Sequence, residues 1–388
     1  MDAFIPYVKH SINEDDIAAV VEAMRSPFIT RGPKTEEFEA AVAHYCGARF
    51  AVSFNSCTTG LIAAAHAADV SKYDRFLTTP NTFVATVAAG IHCGATPVLV
   101  DIDPNTGNID LAQLKYSAEV QSSRGRNVYA PVHFAGVPVD MEELEQGITD
   151  PESIVIEDAA HAIGSEYQDG QKVGCCEWSD MTVFSFHPAK NITTGEGGMV
   201  LTNDEALYHR LKRFRNNGVE REPQYLDREP QPWYYEVKEI TGNYHLNEMQ
   251  AALGLSQLKR LDQSKDKRQE LLQVYRQRIR EIDHVRLLHD KGSDQVMFHL
   301  CVALFDFDAI GKTRGEVMEA LKERGIGTQV HYIPIYCHPF FMKMAGDVSA
   351  YFPNMEAYYR QALSLPLYSQ LNEKDIHNIV ETIKEVLA

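Results

Sequence analysis

The sequence predicts a large α/β domain built on a mostly parallel sheet, followed by a smaller α+β domain. Strand-like and helix-like segments alternate from about residue 50 to residue 204, and such alternation requires crossover connections between parallel strands. Continuous apolar runs such as residues 154–156 are typical of strands that are buried on both faces. Beyond residue 204 the alternation ends and long charged helices take its place.

The predicted large domain begins with an amino-terminal arm. Ser11 and Glu14 have the spacing of a capping box and predict a helix, which is followed by a loop over residues 27–33. Seven strand-like segments come next, at residues 51–54, 75–80, 97–103, 128–136, 153–160, 182–186 and 199–202. We expect this domain to span residues 1–250.

The smaller domain is predicted over residues 251–388, together with the long helix that connects it to the first. That charged helix begins near Asn247 and reaches about Arg280, with room for a break. Strand-like segments follow near residues 297–304 and 326–333. The final helix carries apolar residues at the spacing of one helical face, namely Ile376, Ile379, Val380 and Ile383.

The composition excludes several classes of protein. Hydrophobic residues make up 44% and charged residues 23% of the chain, as in a globular protein and unlike a collagenous or disordered one. The formal charge of −17 disfavours generic binding to nucleic acid or to an anionic membrane. Seven cysteines without a C-x-x-C pair fit neither a disulfide framework nor a zinc ribbon, and no metal is expected. Because no signal-like stretch follows Met1 and no run of ~18 apolar residues occurs, we expect a cytoplasmic location.

Four polar segments lie where predicted strands finish, at the edge where open α/β sheets bind ligands. The first, residues 55–60 (NSCTTG), could present backbone N–H groups to a phosphate at the start of a helix. Its Ser and Thr residues could equally be ordinary helix caps, which is the simpler interpretation of this segment alone.

The second polar segment ends the predicted strand at residues 153–160. It brings Glu157 and Asp158 to the carboxyl end of the strand, where a buried carboxylate requires a cation or several hydrogen-bond donors. A protonated pyridine nitrogen is one such cation. His161 follows three residues later and could be either functional or a hydrogen-bonded structural histidine.

The third and fourth polar segments contribute a lysine and an amide. Lys190 lies within residues 185–198 (SFHPAKNITTGEGG), among small, apolar and glycine residues that indicate a confined site. Confinement lowers the pKa of an amine, which could then form a Schiff base. Asn243 precedes a helix and could be a turn residue or a cap. Together, a phosphate cradle, a carboxylate, a lysine and a glycine turn are the parts that pyridoxal phosphate requires.

With these motifs the sequence resembles the DegT/DnrJ/EryC1/StrS nucleotide-sugar aminotransferases, which have the pyridoxal phosphate-dependent fold type I of aspartate aminotransferase. The similarity runs from about Ile5 to the carboxyl terminus, and it is closest to the branch that makes UDP-4-amino-4,6-dideoxy-N-acetyl-β-L-altrosamine on the route to pseudaminic acid. The segments that look like this branch are residues 131–136, 185–198, 254–262, 331–336 and 362–368. The related D-sugar branch more often has an Asn-Gly pair where this chain has His187 and Pro188.

The resemblance implies a role for individual residues. Lys190 would bind the cofactor as a Schiff base and shuttle the proton, Asp158 would hold the pyridine nitrogen protonated, and His161 would lie near the phenolic oxygen. The other implied cofactor contacts are Phe83 on the ring face, Cys57, Thr58 and Ser185 at the phosphate, and Asn243 reaching that phosphate from the other subunit of a homodimer. The implied sugar-nucleotide contacts are Tyr7, Pro27, Phe28, Ile29, Thr30, His187, His331, Tyr332, Ile333 and Pro334. A core-packing role for Phe83 remains an alternative.

Two positions depart from the family pattern. Relatives commonly have Gly-x-Asn-x-Arg where this chain has residues 241–245 (TGNYH), so His245 replaces a usual arginine. The anion that this arginine serves, either a donor carboxylate or a phosphate, would then be held less tightly. Cys57 stands where a small residue such as alanine is frequent, which matters little if only its N–H is used.

The implied reaction moves an amino group from L-glutamate to C4 of a UDP-linked 2-acetamido-2,6-dideoxy-4-keto-hexose, giving the amino sugar and 2-oxoglutarate. Three alternatives remain open at this point. The substrate could be another nucleotide-linked keto-sugar, such as a UDP-D-sugar, a dTDP- or GDP-linked sugar or a 3-keto sugar. The chain could be a dehydratase relative, although in that class a histidine replaces the lysine found here as Lys190. It could also be a non-catalytic regulator that binds the cofactor, but the sequence shows no basic patch or DNA-binding module.

Overall fold

A seven-stranded sheet forms the largest element of the computed structural model, which describes residues 4–120, 125–291 and 293–388. Residues 1–3, considered above for signal features, lie outside the described residues. The strands in chain order are β1 (Phe50–Phe54), β2 (Arg75–Thr78), β3 (Thr96–Leu99), β4 (Asn127–Tyr129), β5 (Ile154–Asp158), β6 (Met181–Ser185) and β7 (Gly198–Thr202). All seven predicted strands are therefore confirmed, although β3 and β4 are shorter than expected.

The order of the strands in this sheet is β1-β7-β6-β5-β4-β2-β3, and all the pairs from β6 to β3 are parallel. Strand β7 runs antiparallel to both of its neighbours, β1 and β6. The carboxyl ends of the other six strands therefore meet at one edge, together with the amino end of β7. Ser185 at the end of β6 pairs there with Gly198 at the start of β7. We call this edge of the sheet the ligand edge.

Helices cover both faces of the sheet, and successive residues of one strand enter different cores. Val155 packs in one buried cluster with Phe38, whereas the next residue, Ile156, packs in another with Leu61 and Phe76. This arrangement explains the continuous apolar runs in the sequence. The helices of this part are α1 (Glu14–Arg25), α2 (Pro33–Cys46), α3 (Cys57–Ala67), α4 (Val84–His92), α5 (Leu111–Val120), α6 (Met141–Gly147) and α7 (Glu205–Arg215), followed by the two-residue strands β8 (Val219–Glu220) and β9 (Glu236–Val237).

The carboxyl-terminal part contains a three-stranded antiparallel sheet of β10 (Val285–Leu287), β11 (Cys301–Phe305) and β12 (Ala362–Leu365). Its helices are α8 (Glu248–Leu258), α9 (Leu261–Ile279), α10 (Phe307–Ile310), α11 (Arg314–Glu323), α12 (Pro339–Ala345), α13 (Pro353–Gln361) and α14 (Glu373–Leu387). The long charged helix is thus broken between α8 and α9. The predicted apolar face of α14 is buried in the core of this part.

Two details of the sequence prediction are wrong. Residues 326–333 form no strand, because Ile326 and Gln329 make only isolated bridges, to Ile5 and Ser364. The amino-terminal cap of α1 is Asn13 rather than Ser11. The Asn13 side chain accepts a hydrogen bond from the backbone N–H of Asp16 (3.0 Å), so the capping box lies two residues after the predicted pair of Ser11 and Glu14.

The boundary between the domains at residue 250 stays a prediction, and it falls within α8. None of the described helices has the length and apolar character needed to cross a membrane.

A buried carboxylate, Glu157, ties β5 to the surrounding loops. Its two oxygens accept hydrogen bonds from His133 Nε2 (2.7 Å), Tyr167 Oη (2.5 Å), Ser179 Oγ (2.5 Å) and Thr182 Oγ1 (2.7 Å). Burial would raise the pKa of Glu157, but these donors, first among them His133, outweigh burial and lower it. The Glu157 carboxylate thus connects β5, the strand that also carries Asp158, to the neighbouring loops and to β6.

We expect Glu157→Gln to lower the free energy of unfolding by about 3–5 kcal/mol, because an amide cannot accept from all four donors. Urea denaturation of the two proteins measures the difference. The matched control is Glu152→Gln, on an exposed side chain just before the same strand, which should change stability little. Equal stability of Glu157→Gln and the parent protein would contradict the importance given to this network.

Candidate active site

A cavity of about 420 Å³ opens at the ligand edge of the sheet. The polar segments that follow β1, β5 and β6 come together there, as the sequence predicts for strands whose carboxyl ends meet. The predicted residues that line the cavity are Tyr7, Cys57, Thr58, Phe83, Asp158, His161, Ser185, His187, Lys190, His331 and Tyr332.

The other predicted residues do not line this cavity. Ile333 lines a larger adjoining cavity of about 880 Å³, which shares Tyr7, Phe83 and Tyr332 with the first. Residues 27–30, Asn243 and Pro334 line neither cavity. Within the 27–30 segment, Phe28 is 56% and Ile29 is 55% exposed. Substrate and cofactor roles for these residues stay predictions.

The start of α3 forms one end of the cavity. The Ser56 side chain caps this helix by accepting from the Thr59 N–H (3.2 Å), and the backbone N–H groups of Cys57 and Thr58 make no hydrogen bond to the described residues. A Cβ at Gly198 would lie 2.6 Å from Cys57 N and Cα, so only glycine lets β7 pass this close. The first turn of α3 therefore offers unpaired donors at a helix amino terminus, a suitable place for a phosphate.

Asp158 also lines the cavity, at the last position of β5, and it is 5% exposed. Its Oδ1 accepts from the backbone N–H of Ala160 (3.0 Å) and its Oδ2 from Thr86 Oγ1 (2.5 Å). None of the Lys, Arg and His residues that the structure describes forms an ion pair with it. Its remaining lone pairs can therefore bind a cation placed in the cavity, such as a protonated pyridine nitrogen.

Lys190 lies in the turn after β6, where its backbone N–H donates to the His187 carbonyl (2.8 Å). Its half-buried side chain lines the cavity. Burial lowers the pKa of the Lys190 amine from 10.5 to about 8, although Cys57 and Asp158 favour the charged form. Roughly a tenth of the amine is then neutral at pH 7, which is the form that reacts with an aldehyde.

The lowered pKa predicts how Schiff-base formation depends on pH. Because the charged amine loses its proton as the pH rises through about 8, the rate at which cofactor-free protein captures pyridoxal phosphate should rise with a midpoint near pH 8. Stopped-flow absorbance of the Schiff-base band measures this rate, and Lys190→Ala supplies the control without the band. A midpoint near pH 10 would show that the amine is not confined.

His161 has a fixed tautomer in the cavity. Its Nδ1 accepts from the backbone N–H of Ala135 (3.3 Å), so Nε2 carries the proton and donates to Tyr332 Oη (3.0 Å). Burial, with Lys190 and His331 nearby, lowers the pKa of His161 well below its usual value and keeps the ring neutral. Because the Tyr332 oxygen already accepts from His161, its own O–H is left to donate to another acceptor. The predicted contact of His161 with the phenolic oxygen stays a prediction.

Sequence reasoning did not single out several residues of the site, among them Ser56, Thr86 and His299. Ser56 could have been found, because it stands at the cap position before α3. Thr86 gave no signal, since its contact with Asp158 spans 72 residues. His299 also gave none, although it packs on His161 with 4.4 Å between ring centroids and is buried on the cavity wall.

These parts fit pyridoxal phosphate. The unpaired N–H groups of α3 suit its phosphate, Asp158 suits its ring nitrogen, and the Lys190 amine, which interacts electrostatically with Cys57 and Asp158, suits its aldehyde. No group of three or more His, Cys, Asp or Glu side chains placed to hold a metal ion occurs within residues 4–120, 125–291 and 293–388.

Comparison with known proteins decides the family. The model of the DegT/DnrJ/EryC1/StrS aminotransferase family matches residues 10–384. The chain belongs to this family. It is therefore a pyridoxal phosphate-dependent sugar aminotransferase with the fold type I that the family resemblance implied.

Three similar proteins carry more specific names. The spore coat polysaccharide biosynthesis protein SpsC of Bacillus subtilis (strain 168) is 37% identical, over 99% of this chain and 97% of its own. A UDP-4-amino-4,6-dideoxy-N-acetyl-β-L-altrosamine transaminase of Campylobacter jejuni is 34% identical over 99% of this chain and 97% of its own. The solved structure of Helicobacter pylori PseC, an aminotransferase involved in the biosynthesis of pseudoaminic acid, matches 99% of both chains with a TM-score of 0.89 and 31% identity.

Proposed function

We propose that this sugar aminotransferase moves the amino group of L-glutamate to C4 of a UDP-linked 2-acetamido-2,6-dideoxy-4-keto-hexose. The products are UDP-4-amino-4,6-dideoxy-N-acetyl-β-L-altrosamine and 2-oxoglutarate, on the route to pseudaminic acid. The observation that carries the reaction is the half-buried Lys190 amine in the cavity that also holds Asp158. The Campylobacter jejuni relative and Helicobacter pylori PseC, which match this chain over nearly its whole length, support the choice of sugar.

The residues of the cavity divide the chemical work. Pyridoxal phosphate, when bound, supplies an electron sink for the charge that develops at the reacting carbon. The first turn of α3 binds the phosphate, and Asp158 stabilises the proton on the ring nitrogen. Lys190 Nζ takes the proton from Cα of glutamate, and in the second half of the reaction the same amine delivers a proton to C4 of the sugar.

The adjoining cavity suits the sugar. Its wall is largely apolar and includes Val84, Ile91, Ile333 and Phe341. Such a wall favours the C6 methyl group and the acetamido methyl group of a 2-acetamido-2,6-dideoxy sugar over a fully hydroxylated one. The Tyr332 hydroxyl, whose proton is free to donate, lies where the two cavities join and suits an oxygen of the sugar.

We also propose that the enzyme is a homodimer with shared active sites. Asn243 is exposed and lines neither cavity, so its predicted contact with the phosphate requires a second copy of the chain. The outer face of α1 exposes Ile17 (47%) and Met24 (60%), and the loop that follows exposes Phe28 and Ile29. Apolar residues grouped in this way on a surface favour association with another chain.

Incubation of the purified enzyme with pyridoxal phosphate, L-glutamate and a panel of keto-sugar nucleotides tests the proposed reaction. The panel contains both C5 epimers of UDP-2-acetamido-2,6-dideoxy-4-keto-hexose, a dTDP-linked and a GDP-linked 4-keto sugar, and a 3-keto sugar. We expect the L-epimer of the UDP sugar to give the highest kcat/KM, with one 2-oxoglutarate formed for each amino sugar identified by NMR. A higher kcat/KM for any other sugar would contradict the proposed substrate.

A second substrate class is favoured by the similarity to SpsC. That relative is named for spore coat polysaccharide biosynthesis and is 37% identical over 99% of this chain. Another nucleotide-linked keto-sugar would use Lys190 and Asp158 in the same way, and only the adjoining cavity would need to differ. The panel of sugars separates the two possibilities.

A further inference from the structure

Arg31 lies beside the position at which this chain lacks the usual arginine of its family. Its Nη2 donates to the Oδ1 of Asn216 (2.6 Å), and His245 Nε2 lies 3.3 Å from the same oxygen. Since an amide oxygen only accepts, the proton of His245 is on Nε2 and is used in this contact. The guanidinium of the 27–33 loop and the histidine that replaces the family arginine therefore converge on one side chain.

Arg31 is the residue of this group that can bind an anion. Burial, with Arg215 and Arg31 nearby, lowers the pKa of His245 to about 4, so its ring is neutral at pH 7. Arg215 is already paired with the carboxylate of Glu39. Arg31 is exposed, and its Nε and Nη1 make no hydrogen bond to the residues that the structure describes. It thus keeps both its charge and free N–H donors.

The two cavities need such a cation. Among the described residues that line them, Lys190 is the only Lys or Arg, while Asp158 and Glu196 are acids. The cofactor phosphate, the carboxylates of glutamate and the diphosphate of a sugar nucleotide all bring negative charge to this place. Recognition of phosphates and carboxylates commonly uses the planar donors of arginine, and no arginine is among the described residues that line these two cavities.

The position of Arg31 points to a second copy of the chain. Arg31 lines neither cavity of its own chain, and its partner Asn216 forms a backbone bridge with Asn243. We propose that Arg31 supplies the cation that position 245 lacks and binds an anionic group, a phosphate or a carboxylate, of the ligands in the other copy's cavity. This inference rests on the proposed homodimer and adds a residue to it.

Reciprocal substitutions test the assignment. In Arg31→Ala we expect about 10- to 100-fold weaker binding of one anion, measured as the Kd of pyridoxal phosphate by absorbance titration, the KM of glutamate and the KM of the sugar nucleotide. The constant that changes identifies the anion. In the double variant Arg31→Ala, His245→Arg, the arginine returns to the family position and should restore that constant to within about threefold of the parent value.

The controls separate a loss of charge from a loss of structure. Arg31 has φ 52°, and alanine carries the same backbone cost as arginine there, so the substitution removes only the side chain. Arg25→Ala removes an exposed charge at the end of α1 and should change none of the three constants. Thermal unfolding checks that each variant is folded. If Arg31→Ala does not fold, Arg31→Lys, which keeps the positive charge, is tested in its place. Three unchanged constants, or no recovery with His245→Arg, would overturn the proposal.

Mixing two variants tests whether Arg31 acts on the other copy. In a heterodimer of Lys190→Ala and Arg31→Ala chains, the subunit that keeps Lys190 faces a partner that keeps Arg31. We expect the heterodimer to be active and to show the parent value of the Kd or KM that Arg31→Ala changes. If the weakened value persists, Arg31 acts within its own chain and the proposal is wrong. The Kd of pyridoxal phosphate and the KM of glutamate remain measurable if the enzyme uses another sugar. A failure of this inference can therefore be distinguished from a failure of the proposed function.

Discussion

Lys190→Ala should lose all measurable turnover. The loss of proton transfer alone costs about 10²–10⁴-fold in rate, and the covalent attachment of the cofactor is lost as well. The buried histidines His161, His299 and His331 are poor replacements for the amine, because burial lowers the pKa of each ring, to about 3 for His331, and His161 Nε2 already carries its proton. Steady-state formation of 2-oxoglutarate measures the effect.

The control for this experiment is Lys172→Ala. Lys172 is also half-buried, but it pairs with Glu166 (3.2 Å) and lies outside the cavity, so its variant should keep the parent turnover. Unfolding curves and equilibrium dialysis with pyridoxal phosphate show whether Lys190→Ala still folds and binds. Substantial turnover of a folded Lys190→Ala enzyme without added amine would remove Lys190 from its role.

Asp158→Asn should lower kcat about 10²–10⁴-fold, because a buried carboxylate facing a cation is worth about 3–5 kcal/mol, and each 1.36 kcal/mol is tenfold in rate. Asparagine keeps the size of the side chain and an oxygen that can accept from Thr86 or Ala160, so the change removes the charge and little else. The measurement is kcat of each half-reaction in single-turnover experiments, in both of which we expect a loss.

Asp180→Asn is the matched control for Asp158. Asp180 accepts from the Val155 N–H (2.7 Å) at the opposite end of β5, far from the cavity lining, and its amide variant should keep kcat within about twofold. If Asp158→Asn were as active as this control, the ring nitrogen would need another partner.

Much of the fold could be predicted, because strands buried on both faces leave a direct pattern in the sequence. Residues 154–156 and 199–201 are apolar throughout, and both runs lie in strands of the large sheet. Segment 326–333 misled the prediction, since Ile326 and Val330 pack in the carboxyl-terminal core without a continuous strand pairing to hold them. Apolar alternation indicates burial, but hydrogen-bond pairing depends on which neighbour is within reach.

The meeting of Lys190 and Asp158 in one cavity could be predicted from the sequence. Lys190 and Asp158 follow strands that end at one edge, so topology alone brings them together. The partners that orient them were not predictable. Thr86 and His299 come from other segments, and neither has neighbours in the sequence that distinguish it from an ordinary core residue.

Because β7 runs in the reverse direction, the loop that carries the catalytic lysine is fixed in the sheet, apart from the carboxyl-terminal residues proposed to choose the sugar. The loop that carries Lys190 leaves β6 and returns to β7 at the same edge, so both of its ends are anchored in the sheet that also bears Asp158. Ile333 and Phe341, in contrast, belong to loops and helices of the carboxyl-terminal part. Mutations of these residues can therefore reshape the proposed sugar pocket without moving the amine relative to the acid, which would let one catalytic frame serve enzymes for different sugars.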